Sequence, residues 1–233
     1  ADFDKISYRV NTGNNKSANT GDLYFQPGKL VKNADGTQTV SFELRSSDSS
    51  GTAGIVHQYV MKPNDYMVDF EVQLNGADKL LTGGVMNLTW NYTAAQQESD
   101  IDFEKQNTQV GFVEDGEFDF YTVGNRSSVD FSKPVKWIGM RQRFFNSYLI
   151  AKDNFSSFQM TWEVHSNDKK IIAQAVSNMR VQVPPSATKV NFNIFYGPAD
   201  YHLLQKYDLQ MGKLINLGQN IYSFVRPLNK YVV

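Results

Sequence analysis

The sequence predicts a mainly β, antiparallel fold, and three observations carry that prediction. Apolar residues recur at every second position in several short runs, which is the period of a strand with one buried face. Asp-Gly pairs stand beside such runs, where tight hairpin turns need positive φ angles. Aromatics make up 13% of the 233 residues, led by 16 Phe and 12 Tyr, and side chains of this kind suit pleated, half-buried surfaces.

In chain order, Ser7-Tyr8-Arg9-Val10 is the earliest strand-like run, and Asn11 to Asp22, rich in Asn, Gly, Ser and Thr, reads as a loop. Asp35-Gly36 precedes a strand in which Val40, Phe42 and Leu44 alternate with Ser41 and Glu43. Arg45 to Gly54 is a second polar loop. Tyr66, Val68, Phe70, Val72 and Leu74 mark one face of the next strand. Asp115-Gly116 joins Val110–Val113 to Phe118–Tyr121 as a hairpin. Phe158, Met160, Trp162 and Val164 line another strand, and Pro184-Pro185 ends pairing before Val190, Phe192 and Ile194. No fixed-period repeat or linker divides the chain.

After Gly197-Pro198 the period changes. From about Ala199 to Val225 the apolar residues take helical spacing, and Leu214, Leu217, Ile221, Phe224, Val225 and Leu228 fall on one side. Pro227 should end or kink this helix. Its charges, Lys213, Arg226 and Lys230, include no acid. Such a stripe can rest on an anionic membrane surface or pack on the body of the domain.

Chemistry is sparse. The net charge of -1 provides no basic field for nucleic acid, and the absence of Cys excludes disulfides, thiol catalysis and thiolate metal sites. His57, His165 and His202 lie in no metal-ligand spacing, so neither metal nor cofactor is expected. Glu163 and His165 share the polar side of one strand and read as a solvent-facing pair. Asp100, Asp102 and Glu104 would share one strand face within the acidic stretch from Glu98 to Asp119, which reads as a solvated hairpin edge rather than a calcium site.

One segment points to a family. Trp137-Ile138-Gly139-Met140-Arg141-Gln142-Arg143-Phe144-Phe145 is similar to the W-x-A-M-x-Q-x-Y-F segment of the periplasmic domain of YidC-type membrane protein insertases, with Gly for Ala and Phe144 for Tyr. Phe195-Tyr196-Gly197-Pro198 resembles that domain's terminal strand and exit, and Pro227-Leu228-Asn229-Lys230 its lead-in to the membrane. The resemblance implies a large antiparallel β-supersandwich, galactose-mutarotase-like, over residues 1–198, with its first strands lacking. Residues 199–233 would form an amphipathic helical segment leading to the membrane.

It further implies an accessory domain without catalysis at the periplasmic face of the bacterial inner membrane. Its partners would be Sec translocon subunits, nascent membrane proteins and, through the C-terminal helix, the membrane surface. Trp137, Met140, Gln142, Phe144, Phe145, Gly197 and Pro198 would be structural. The insertion activity itself would reside outside these residues. A carbohydrate-binding or mutarotase-like module is the alternative, with Trp90, Tyr92, Trp162, Glu163 and His165 supplying the residue types.

Overall fold

A computed structural model describes residues 3–13, 15–45, 54–165, 170–184 and 186–215. Its strands are β1 (Lys5–Gly13), β2 (Lys16–Asn19), β3 (Gln26–Pro27), β4 (Val31–Lys32), β5 (Gln38–Arg45), β6 (Gly54–Met61), β7 (Met67–Asn75) and β8 (Val85–Ala95). After these come β9 (Gln109–Glu114), β10 (Glu117–Thr122), β11 (Ser128–Phe131), β12 (Val135–Arg141), β13 (Phe145–Phe155), β14 (Ser157–Val164), β15 (Ile171–Gln182) and β16 (Lys189–Pro198). Short helices are α1 (Ala77–Leu80), α2 (Ile101–Asn107) and α3 (Tyr201–Gln205).

The strands form two antiparallel sheets. One is six-stranded, in the order β11-β14-β15-β8-β1-β2. The other is ten-stranded, in the order β10-β9-β12-β13-β16-β7-β6-β5-β3, with β4 paired to β5. The predicted alternation fills the space between them. Phe70, Val72 and Leu74 of β7 and Phe192 of β16 pack in one core with Phe158, Met160 and Trp162 of β14 and Met86, Leu88 and Trp90 of β8. The face-to-face layering of two apolar sheet faces makes this a β-sandwich.

A second, smaller core lies on the other side of the ten-stranded sheet. Trp137, Tyr148, Ile150 and Phe195 are buried there beneath Tyr201, Leu204, Met211, Leu214 and Ile215. A register shift between Val135 and Trp137 sends these neighbours to opposite faces, as a β-bulge does. The stretches Trp137–Met140 of β12 and Tyr148–Ala151 of β13 are therefore buried on both sides and read as continuous apolar runs rather than as alternation.

Two expectations are corrected. Asn11 to Asp22 is not a loop: β1 extends to Gly13, pairs with β2, and a short 3₁₀ turn follows at Thr20–Asp22. Asp100, Asp102 and Glu104 lie on no strand. Asp100 accepts a hydrogen bond from the Phe103 N–H and so caps α2, the usual role of Asp at a helix start. Of the C-terminal segment, the described residues include the helix α3 and a 3₁₀ turn at Met211–Leu214, and the stripe from Leu217 to Lys230 lies outside the described residues.

Candidate functional site

The motif strand β12 and its neighbours build a seat for the segment that leaves the sandwich. At the exit, a Cβ on Gly197 would stand 2.8 Å from Tyr66, so glycine is needed for the close approach of that ring. The Ala199 N–H then donates to the Phe144 carbonyl at 2.8 Å. Asp200 caps α3 by accepting from the Leu203 N–H at 2.7 Å. Tyr201 and Leu204 go down onto the sheet.

The chain turns back through two residues with positive φ, Asp208 and Gln210. At that turn the Trp137 indole Nε1–H donates to the Leu209 carbonyl at 2.6 Å, and Gln210 Nε2 donates to the Gly116 carbonyl at 2.8 Å. The Tyr207 hydroxyl donates to Asp65 Oδ1 at 2.6 Å. Burial is the main cause that raises the Tyr207 pKa to about 12, with the Asp65 carboxylate acting the same way. Leu214 then settles over Gly111, where a Cβ would lie 2.6 Å from Leu214 Cδ1. Gly139 pairs with Gly111, and a Cβ there would meet Tyr148 Cδ1 at 2.1 Å. The same Cβ would lie 2.3 Å from the Ser147 carbonyl, so both the Tyr148 ring and the neighbouring backbone require glycine at this position of the motif.

The other end of the motif holds a buried polar joint. Gln142 Nε2 donates to the Ala95 carbonyl at 2.6 Å and to Glu104 Oε1 at 3.1 Å, while Gln142 Oε1 accepts from Gln97 Nε2 at 3.1 Å. The fully buried Glu104 carboxylate also accepts from the N–H groups of Gln97 and Glu98, at 2.9 and 3.2 Å. Charge-assisted bonds of this kind let a carboxylate sit in the interior. Arg143 pairs with Glu98 at 3.0 Å, and Arg141 Nη1 donates to Gln109 Oε1 at 3.1 Å. Burial lowers the pKa of Arg141, and the Tyr148 hydroxyl acts weakly in the other direction.

The structure sorts the predicted site residues into three groups. Trp137, Met140, Gln142 and Gly197 are buried fold residues, and Pro198 ends β16. Phe144 and Phe145 have exposed rings, Phe144 in the β12–β13 turn and Phe145 as the first residue of β13, paired with Pro198. Lys213 is exposed, but Leu214 is fully packed under the second core and is not free to meet a membrane. Leu217, Ile221, Phe224, Val225, Arg226, Leu228 and Lys230 lie outside the described residues.

The residues named for a sugar site are not brought together as a set, although the Trp90 and Tyr92 rings lie 5.5 Å apart. Trp90 and Trp162 are buried between the sheets, and the Trp162 Nε1–H is committed to the Val123 carbonyl at 3.0 Å. Glu163 faces solvent, and His165 Nε2 pairs with Gln174 Oε1 at 3.0 Å. A depression of about 530 Å³ lies on the outer side of the six-stranded sheet. Its polar side chains bond one another, Gln159 to Asp130 at 2.7 Å and Thr89 to Asn178 at 3.0 Å. Among the described residues no group of three or more His, Cys, Asp or Glu is placed to hold a metal. Sequence reasoning placed Glu104 on a strand and gave no role to Leu209 or Gly111. Only Gly111 carried a signal, since a glycine inside an apolar strand marks a close approach.

Residues 4–231 match the family described as YidC periplasmic domain. A membrane protein insertase YidC from Chloroherpeton thalassium is 25% identical over 95% of this chain and 39% of its own. A relative of the same name from Parabacteroides distasonis is 26% identical over 98% of this chain and 36% of its own. The chain therefore spans less than two-fifths of the length of these relatives. A galactose mutarotase related enzyme from Lactobacillus acidophilus superposes with a TM-score of 0.47 at 6% identity, over 81% of this chain and 77% of that one. With a match that runs from residue 4 to residue 231, this chain belongs to the YidC periplasmic domain family.

Proposed function

We propose that the chain is the accessory domain of a membrane protein insertase at the periplasmic face of the bacterial inner membrane, and that it works by contact rather than catalysis. The relatives are named membrane protein insertases. The observation that carries the reading is the bond from the Trp137 indole to the Leu209 carbonyl. With Leu214 over Gly111 it ties the exit segment to the sandwich. The chain as far as Ile215 is thus fastened to the sandwich. The contacts are with nascent membrane proteins, with Sec translocon subunits, and with lipid through the basic, apolar sequence from Leu217 to Lys230.

The test uses a peptide covering Asn216–Val233. It is expected to turn helical on vesicles rich in anionic lipid, as read by circular dichroism, and to lose that signal as salt rises. A peptide whose spectrum is unmoved by vesicles removes the lipid-facing part of this reading.

A further inference from the structure

One end of the sandwich carries a rim of exposed rings. Tyr66, Phe103, Phe144, Phe145 and Tyr196 are between 43% and 63% exposed. Phe145 and Tyr196 stack with centroids 6.5 Å apart and planes 9° from parallel. Arg143 sits between Phe103 and Phe144, its guanidinium 5.2 and 5.4 Å from their ring centres. Tyr66 adjoins through Gly197, and the Tyr196 N–H donates to its carbonyl at 3.2 Å. Single exposed apolar residues are ordinary, but contiguous ones mark an interaction surface.

The chain both enters and leaves the sandwich at this end. β1 begins at Lys5, paired with Asn91, and Asp4 accepts from the Thr93 N–H at 2.6 Å. The end of β8 is tied to the motif by the bond from Gln142 to Ala95. β16 ends at Pro198, paired with Phe145. The exit segment runs out to Gly116 and returns to Gly111.

The chemistry of the rim selects its occupant. Phe and Tyr rings with an arginine among them match the water–lipid boundary, where rings lie at headgroup level and a guanidinium reaches the polar layer. Net charge is not the attraction, because Arg143 is paired with Glu98 and the neighbouring α2 is led by Asp100 and Asp102. We propose that this rim is a docking surface for a phospholipid bilayer, entered to headgroup depth and indifferent to lipid charge. The proposal rests on the reading that the domain works beside a membrane, and it adds a contact separate from the basic sequence beyond Ile215.

The experiment is flotation of the whole 233-residue chain with phosphatidylcholine vesicles. Binding is expected, and it should change less than about twofold in roughly 0.5 M salt, where charge attraction is screened within a few ångströms. The triple variant Phe144→Ser/Phe145→Ser/Tyr196→Ser should partition about tenfold more weakly, since three boundary-seeking rings are gone. Ile221→Asp/Phe224→Asp should still bind. Phe144→Trp places a reporter on the rim, and spin-labelled lipid should quench its added fluorescence, whereas the native Trp90, Trp137 and Trp162 are buried.

No binding to phosphatidylcholine, a triple variant that binds like the parent with its melting curve unchanged, or an unquenched reporter on bound chain would overturn the rim. So would binding that requires anionic lipid and vanishes in salt. If the Asn216–Val233 peptide still responds to vesicles in any of those cases, the first reading stands without the rim. A rim that serves a protein partner instead would also show as a triple variant with parental lipid binding.

Discussion

The Tyr8 hydroxyl and His57 Nε2 lie 2.7 Å apart and join β1 of the six-stranded sheet to β6 of the ten-stranded one. The pair is walled by rings: Phe25 stacks on His57 at 4.4 Å and Phe70 meets it edge-on at 5.4 Å. The site stabilises a neutral imidazole, because a charged one would have to shed its water there. Burial accordingly lowers the His57 pKa to about 4.

That shift makes stability depend on pH in a defined window. Because the folded pKa is below the unfolded value of about 6.5, the unfolded chain binds the extra proton as pH falls. The contribution is complete above pH 6.5 and declines between about pH 6.5 and 4, by about 3 kcal/mol at the limit. Urea unfolding across this range should show the loss, and His57→Phe should flatten that part of the profile. His57→Phe alone should cost about 1–3 kcal/mol at pH 7 by orphaning the Tyr8 hydroxyl, and adding Tyr8→Phe should recover part of it.

Trp137→Phe tests the clasp on the exit segment. It removes the donor to the Leu209 carbonyl and some buried volume. The expected loss is about 1–3 kcal/mol, rising to about 3–5 for Trp137→Ala. The telling readout is local. Hydrogen exchange at the amides of Leu204, Lys206, Lys213 and Ile215, all bonded within the segment, should accelerate well before the paired strands β8 and β15 respond. Uniform acceleration throughout the domain would argue against a separate clasp.

Much of this molecule could be read from its residues, and the exceptions have physical causes. Strand β14, and β7 and β16 apart from the ends where Met67 and Phe195 enter the second core, keep one wetter face and announce themselves by alternation. Strands β12 and β13 do not, because the second core buries their outer face too and makes both parities apolar. Asp100 and Glu104 were misplaced because charge every second residue imitates a strand, while the cap that decides for helix depends on a backbone N–H three residues on. The motif segment identified the family, but the partner of its tryptophan is a carbonyl, which no side-chain pattern encodes.

Glu104 tests whether the polar joint is a fastening. Its oxygens face the N–H groups of Gln97 and Glu98 and the amide of Gln142. Glu104→Gln turns one acceptor into a donor aimed at donors, so a loss of about 1–3 kcal/mol in urea unfolding is expected despite the matching shape. Gln142→Leu should cost a similar amount, because it removes the donor to the Ala95 carbonyl and one of the two donors to Glu104 Oε1. Both residues serve one network, so the double variant should cost clearly less than the two losses added together.

The contact between Gly111 and Leu214 offers the sharpest test of how the exit segment is seated. A methyl group at position 111 would lie 2.6 Å from Leu214 Cδ1 and 2.9 Å from its Cγ, so a side chain deep in the second core must move. Gly111→Ala should therefore destabilise by about 1–3 kcal/mol through overpacking, and Leu214→Ala by about 2–5 kcal/mol through lost burial. In the double variant the added methyl occupies space that the shortened side chain vacates. The combined loss should fall below the sum by about 1 kcal/mol or more, measured as a cycle by thermal or urea unfolding. Strict additivity would mean that Leu214 does not rest on Gly111, and the seat for the exit segment would then have to be sought elsewhere on the sheet.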